Sequence, residues 1–304
     1  MKAAQINKYG GSGVIEINMN APKPVAGEGQ VLVEVYAAAV NPFDSIIRSG
    51  AMQQMIPLVF PTTIGGDFAG VVVGTGEEVF GGANVTAGGS GAMAEFATVK
   101  IDNLAPKPKN VSWTEAAAMP LVGSSAIQAI EEHIKLQPGQ KILIHGGAGG
   151  IGSAAIQLAK HVGAFVATTV STKDVEFAKS LGADEVVDFE KQNFEEVLHD
   201  LDAVYDTVGG ETMKKSFGVL KKGGILVSMK GQPDEQLCKK FGVTGIGQMT
   251  KNNKVHQTRV AQLVETGVIK PQIDKVFSLD QTAAAFEYQE TAHPRGKVVV
   301  KVKP

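Results

Sequence analysis

The stretch Gly146-Gly147-Ala148-Gly149-Gly150-Ile151-Gly152 follows the apolar run Lys141-Ile142-Leu143-Ile144-His145 and precedes Ser153-Ala154-Ala155-Ile156-Gln157-Leu158-Ala159-Lys160, where apolar residues recur at helical spacing. Strand, glycine loop and helix in that order make the G-x-G-x-x-G pattern of a dinucleotide site. Gly147, Gly149 and Gly152 permit a tight turn, close backbone approach to a pyrophosphate, and close helix–strand packing; Gly150 and Ile151 belong to the same loop. Two other glycine clusters, Gly74-Thr75-Gly76 and Gly242-Val243-Thr244-Gly245-Ile246-Gly247, lack the flanking pattern and read as turns.

The second strand of such a unit usually ends in an acid, about 20 residues after the loop, that binds the adenosine ribose. Here that position reads Val170-Ser171-Thr172-Lys173. A carboxylate would repel a 2′-phosphate, whereas the Ser171 hydroxyl and the Lys173 ammonium can hydrogen-bond and neutralise one, so the cofactor expected is NADP (as NADPH). Ser171 can also cap the following helix and Lys173 can be solvated, and neither role conflicts with the first.

Outward from this loop the chain alternates. Strands are predicted at Lys141–His145, Phe165–Val170, Glu185–Asp188, Ala203–Asp206 and Ile225–Ser228, with helices beginning near Gly150, Lys173, Phe194, Thr212 and Thr258. Before about residue 105 the apolar residues come in short runs punctuated by Gly and Pro, an all-β texture. Ser112 with Glu115 then makes a capping box for a helix to Met119, and a second helix is expected over Ser124–Ile134. After Gly267 short strands return around one helix, Asp280–Thr291. The expected architecture is α/β: a β-rich catalytic domain from residues 1–122 and 268–304, interrupted by a doubly wound parallel-sheet domain over 123–267, with the cleft between them as the expected active site.

Bulk properties exclude several function classes. The 304 residues are 43% hydrophobic and 20% charged with a formal net charge of -2, without the basic excess that nucleic acid or an anionic membrane rewards. One cysteine, Cys238, allows no intrachain disulfide and no cysteine-rich metal site. The N-terminal residues lack a signal peptide's apolar stretch, and no window approaches the ~18 apolar residues of a membrane span, so a cytoplasmic protein with a small-molecule partner is expected.

Taken in order, Ala39-Val40-Asn41-Pro42-Phe43-Asp44 with Arg48-Ser49-Gly50, Gly65 to Gly70, Ala116 to Leu121, Gly146 to Lys160, Ala178 to Asp184, Asp206 to Gly210 and Gly296 to Val300 resemble the zinc-independent quinone oxidoreductases and alkenal/enone reductases of the medium-chain dehydrogenase/reductase superfamily. The likeness covers nearly the whole chain. It implies a GroES-like catalytic domain and a Rossmann domain, and NADPH-dependent reduction of a quinone or of a C=C bond conjugated to a carbonyl. Carried over by position, Asn41 lies beside nicotinamide and substrate, and Ser125 near the nicotinamide ribose. Thr207, Val208 and Gly209 run under the cofactor; Ser228, Met229 and Lys230 line the nicotinamide; Phe189 meets the adenosine end; Arg295, Gly296 and Lys297 close over the cofactor from the last strand. Asn41 before Pro42 can equally shape a turn, and Lys297 can decorate an edge strand. Phe43, Ile46, Ile47 and Met52 are expected either to shape the substrate side or to belong to the core.

The zinc-dependent branch of that superfamily places a Cys near Asp44, a His-Glu pair near Gly66-Asp67 and a four-cysteine lobe, none of which this chain has. Its histidines, at 133, 145, 161, 199, 256 and 293, form no i,i+4 or His-x-His pair, so no metal is expected. Two other readings stay open: an enoyl-thioester or haloacrylate-type reductase, and a non-catalytic NADPH-binding protein. A homodimer through an edge strand of the parallel sheet is expected.

Overall fold

The computed structural model describes residues 1–303, which divide into two compact units. The second, Val122–Lys251 with Val268–Lys270, is built on a six-stranded parallel sheet. Its spatial order is Glu185–Asp188, Phe165–Val170, Lys141–His145, Leu201–Asp206, Leu220–Ser228, Thr244–Gly247, which is the doubly wound order 3-2-1-4-5-6. Near-continuous apolar strands are what a sheet covered on both faces requires, and Leu143, Ala167, Val204 and Leu226 are fully buried. The strand order reverses between Lys141–His145 and Leu201–Asp206, so the loops after those strands lie at the switch point.

Thr244–Gly247, expected as part of a turn, is instead the sixth strand, in register with Ile225–Ser228. Its glycines suppressed the strand signal, yet they suit the site: a Cβ at Gly247 would meet the Gln232 backbone at 2.9 Å. The helix expected over Ser124–Ile134 begins earlier, at Pro120, and becomes a π-helix over Gln128–His133.

The first unit combines Met1–Leu121, Asn252–Gly267 and Pro271–Pro304. Its main sheet has seven strands, with the long strand Gln30–Val40 paired antiparallel to Lys297–Lys301, Asp67–Val72 and Phe96–Lys100. Phe68, Met93, Phe286 and Val300 fill its core. Gly74-Thr75-Gly76 is indeed a turn, closing the hairpin in which Val71 pairs with Glu78. The Ser112–Glu115 capping box starts the helix Trp113–Ala117 as expected. The helix Lys254–Glu265 differs from the expected partition at 267: it belongs to the first unit, where Asn110 Nδ2 donates to the Val264 carbonyl at 3.2 Å and the Lys109 N–H donates to Glu265 at 3.2 Å.

Candidate functional site

In the second unit the glycine loop is held by close backbone packing. Gly146 takes φ +72°, a conformation that disfavours any side chain, and a Cβ on Gly152 would come within 2.2 Å of the Gly146 carbonyl oxygen. Gly147 is equally tight, its virtual Cβ 2.1 Å from Thr168 Oγ1. Gly149 differs, because its nearest neighbour would be at 3.5 Å, ordinary contact. Gly149 is also the N-cap of the helix Gly150–Val162 and provides no side-chain cap, which leaves the first-turn N–H groups available to an anion. The loop and helix therefore fit a dinucleotide pyrophosphate.

Beneath the loop His145 is fully buried in a hydrogen-bonded chain. Ser216 Oγ donates to the Thr212 carbonyl at 2.7 Å, so it accepts from His145 Nε2–H at 2.9 Å; Nδ1 then accepts from Thr169 Oγ1 at 2.9 Å. Burial pushes the imidazole pKa down to about 4, keeping it neutral. On the adjacent strand, buried Asp206 accepts from the N–H groups of Val208 (3.0 Å) and Gly209 (2.9 Å) and from Ser228 Oγ (3.0 Å), tying together two loops expected to meet the cofactor. The Lys230 N–H in turn donates to Ser228 Oγ at 3.0 Å, and a Cβ at Gly209, φ +82°, would strike Lys230 Cβ at 2.6 Å. Thr207 Oγ1 donates to the His145 carbonyl at 2.7 Å. Thr207, Val208, Gly209, Ser228, Met229 and Lys230 are thus brought together at the strand ends, and Ser125 is turned inward, its Oγ 2.7 Å from Thr250 Oγ1.

At the end of the second strand, Ser171 Oγ donates to Asp174 Oδ2 at 2.7 Å, and Thr172 Oγ1 donates to Asp188 Oδ2 at 2.7 Å. Ser171 is the N-cap residue of the short turn Thr172–Asp174, but its side chain makes no cap bond. Lys173 is exposed, as is Phe189, 59% accessible just past the third strand. Asp174 was not anticipated as part of this corner.

The first unit carries a second cluster. Asn41 ends the central strand in extended conformation, as a residue before proline must, and Pro42 opens the helix Pro42–Ser49. Antiparallel register puts Val298 opposite Val40 and Asp67 opposite Ala39, so Asn41 exits between the starts of the two neighbouring strands. Asn41 Nδ2 donates to Asp67 Oδ2 at 2.9 Å and Lys297 Nζ donates to Asn41 Oδ1 and, at 2.7 Å, to the Val40 carbonyl. The Asn41 N–H donates to Asp44 Oδ2 at 2.9 Å, and the Leu121 N–H to Asp67 Oδ2 at 3.2 Å. All four side chains are buried. Burial, with Asp67 beside it, pushes the Asp44 carboxyl up to about 7; burial also raises Asp67 and lowers Lys297.

Lys297 turns inward with only 5% of its surface accessible, bonded to the Val40 and Asn41 oxygens and under the influence of the Asp67 and Asp44 carboxylates. Arg295 is exposed next to it, and Gly296, φ +76°, packs its Cα against the Gln272 carbonyl. Of the four candidate substrate residues, Ile47 is buried and, with Asp44, lines a small cavity, Phe43 and Met52 are half-buried, and Ile46 is 43% exposed. Among the described residues no three His, Cys, Asp or Glu side chains gather as a metal site. The cationic group that acts electrostatically on both Asp44 and Asp67 is the Lys297 side chain.

A doubly wound nucleotide-binding unit and a GroES-like antiparallel unit define a two-domain dehydrogenase/reductase. Residues 27–109 match the alcohol dehydrogenase GroES-like domain and residues 181–300 the zinc-binding dehydrogenase family. The chain is 40% identical over 323 residues to 2-methylene-furan-3-one reductase of Solanum lycopersicum, covering 100% of this chain and 80% of that protein. To the chloroplastic NADPH-dependent alkenal/one oxidoreductase of Arabidopsis thaliana it is 38% identical, covering 99% and 79%. The quinone oxidoreductase structure from Coxiella burnetii superposes with TM-score 0.90 at 31% identity, over 100% of this chain and 99% of that one. The protein belongs to the medium-chain dehydrogenase/reductase superfamily, in its quinone oxidoreductase and alkenal/one reductase branch.

Proposed function

We propose that the protein is an NADPH-dependent reductase that transfers hydride to a quinone or to a C=C bond conjugated to a carbonyl, without a metal ion. Whole-chain identity of 40% and 38% to two enzymes named for conjugated carbonyl substrates carries this reading. A mycobacterial relative of known structure, 26% identical over 99% of this chain with TM-score 0.87, was solved with NADPH.

When bound, NADPH supplies the hydride. The chain's residues do the rest: the glycine loop and the first turn of Gly150–Val162 hold the pyrophosphate, and Lys173, joined by Ser171 once its hydroxyl turns away from Asp174, receives the 2′-phosphate. The backbone of Ser228, Met229 and Lys230, tied through Asp206 to the turn at Val208 and Gly209, supports the nicotinamide. Asn41 is the polar contact for the oxygen on which negative charge develops. The enolate or hydroquinone anion is protonated by solvent or a cofactor hydroxyl.

The experiment is NADPH oxidation by the purified protein over quinones, enals, enones and acryloyl thioesters. Turnover of enones or quinones supports the proposal. Consumption confined to acryloyl thioesters would favour an enoyl-thioester reductase; one structural relative, 27% identical with TM-score 0.85, is an enoyl reductase. Tight NADPH binding with no turnover would identify a non-catalytic binding protein.

A further inference from the structure

An asparagine amide has nearly isosteric ends, so a single orientation is enforced only by what surrounds it. At Asn41 the surroundings are of opposite charge on the two ends: a buried ammonium donates to Oδ1 and a buried carboxylate accepts from Nδ2. Flipping the amide would set its NH₂ against the Lys297 ammonium and its oxygen against the Asp67 carboxylate, two repulsive contacts in place of two charge-assisted hydrogen bonds. Both clamping residues are themselves anchored to backbone, Lys297 to the Val40 carbonyl and Asp67 to the Leu121 N–H. They also sit at the first positions of the strands Lys297–Lys301 and Asp67–Val72 that flank the central one.

We propose that Lys297 and Asp67 are positioning residues that lock the Asn41 side chain in one amide orientation, leaving one Nδ2 hydrogen fixed as a donor to the acceptor's carbonyl or quinone oxygen. Two hydrogens and two lone pairs make up an amide's capacity, and the clamp commits one of each. Flipping alone would halve the productive population, and the larger loss comes from the amide leaving its position once neither end is held. The assignment rests on Asn41 being the polar contact proposed above.

The test uses four forms of the full-length protein: wild type, Asn41→Ala, the charge-free double variant Lys297→Met with Asp67→Leu, and the triple variant combining them. Removing both charges together avoids orphaning either member of the pair, and Asp44, the buried carboxyl that remains, is already pushed up to about 7 and can hold its proton. The expected result is a fall in kcat on the order of 100-fold in the double variant, with KM for NADPH unchanged and unfolding stability retained. Because the clamp acts through Asn41, the triple variant should match Asn41→Ala within about 2-fold. A double variant with wild-type kcat, or a triple variant ten-fold or more below Asn41→Ala, overturns the proposal.

The cofactor-free protein gives an independent readout. The Asn41 side-chain ¹⁵N–¹H resonances, assigned by their loss in Asn41→Ala, should be well dispersed and slow to exchange with solvent in wild type, and should lose both properties in the double variant. Unchanged resonances would overturn the clamp whatever the kinetics. A wild type that turns over no quinone or enone would remove the proposed function, while the amide spectra would still decide whether Asn41 is held.

Discussion

The Gly152 Cα lies so near the Gly146 carbonyl that a methyl group there would sit 2.2 Å from the oxygen. The entrance of the loop and the first turn of the helix are in backbone contact, and only glycine at both positions allows it. Gly152→Val should therefore destabilise the second unit by ~1–3 kcal/mol or more through overpacking, read as a lower denaturation midpoint. Gly149→Ala meets nothing closer than 3.5 Å, so it should fold normally and weaken NADPH and NADH alike by obstructing the pyrophosphate. Unaltered affinity in a folded Gly149→Ala protein would remove the pyrophosphate from this position.

Lys173 and Ser171 should set the choice between the two cofactors. Lys173→Ala removes a charge-assisted hydrogen bond of ~1.5–3 kcal/mol and should weaken NADPH roughly 10- to 150-fold while hardly changing NADH. Salt should narrow the wild-type preference. Ser171→Asp adds a second carboxylate beside Asp174, already 2.7 Å from the Ser171 hydroxyl, and should reverse the preference. Equal weakening of both cofactors by Lys173→Ala, in titrations of dissociation constants, would contradict the assignment.

Asp44 should make the first unit lose stability with rising pH. Its native pKa of about 7 exceeds the ordinary 3.8, so between those values the folded protein holds a proton that the unfolded chain has released. That contribution is complete below about 4 and is lost as pH rises through about 7, at up to ~1.4 kcal/mol per pH unit. Asp44→Asn should flatten this slope in denaturation curves taken across the window.

His145 acts with the opposite sign in the second unit. Its native pKa of about 4 lies below the ordinary 6.5, so over that interval the unfolded chain binds a proton the native state refuses. Stability there is complete above about 6.5 and falls on acidification toward about 4. His145→Gln should remove this acid dependence.

Chelator treatment should change neither turnover nor the denaturation midpoint, since the Lys297 ammonium stands with Asp44 and Asp67. Stoichiometric bound zinc whose removal abolishes activity would contradict this.

The parallel strands were legible because each is a short apolar run bounded by glycine or charge, and the loop after His145 because its glycines stand between a strand and a helix. The strand Thr244–Gly247 was not, since two of its four residues are glycine and carry no pattern. Asn41 could be singled out by its motif, but its clamp could not: Lys297 lies 256 residues away, and only the antiparallel register brings it beside Asn41. Asp67 and Asp206 fall inside motif segments, but nothing in the sequence gives them, or Asp174, a role. What marks them is burial at a strand end or helix start with donors converging on the carboxylate, a property of packing rather than of spacing.

The three-segment construction of the first unit orders events during synthesis. The second unit is nearly contiguous from Val122 to Lys251 and can complete its sheet as soon as that span leaves the ribosome. The central strand Gln30–Val40, made early, must wait for Lys297–Lys301 before its flank is covered, and until then it exposes an open edge. At about 5–20 residues per second that wait lasts on the order of tens of seconds. The first unit is thus the part of the nascent chain most in need of a chaperone's shelter, and the Asn41 clamp can form only once Lys297 has emerged.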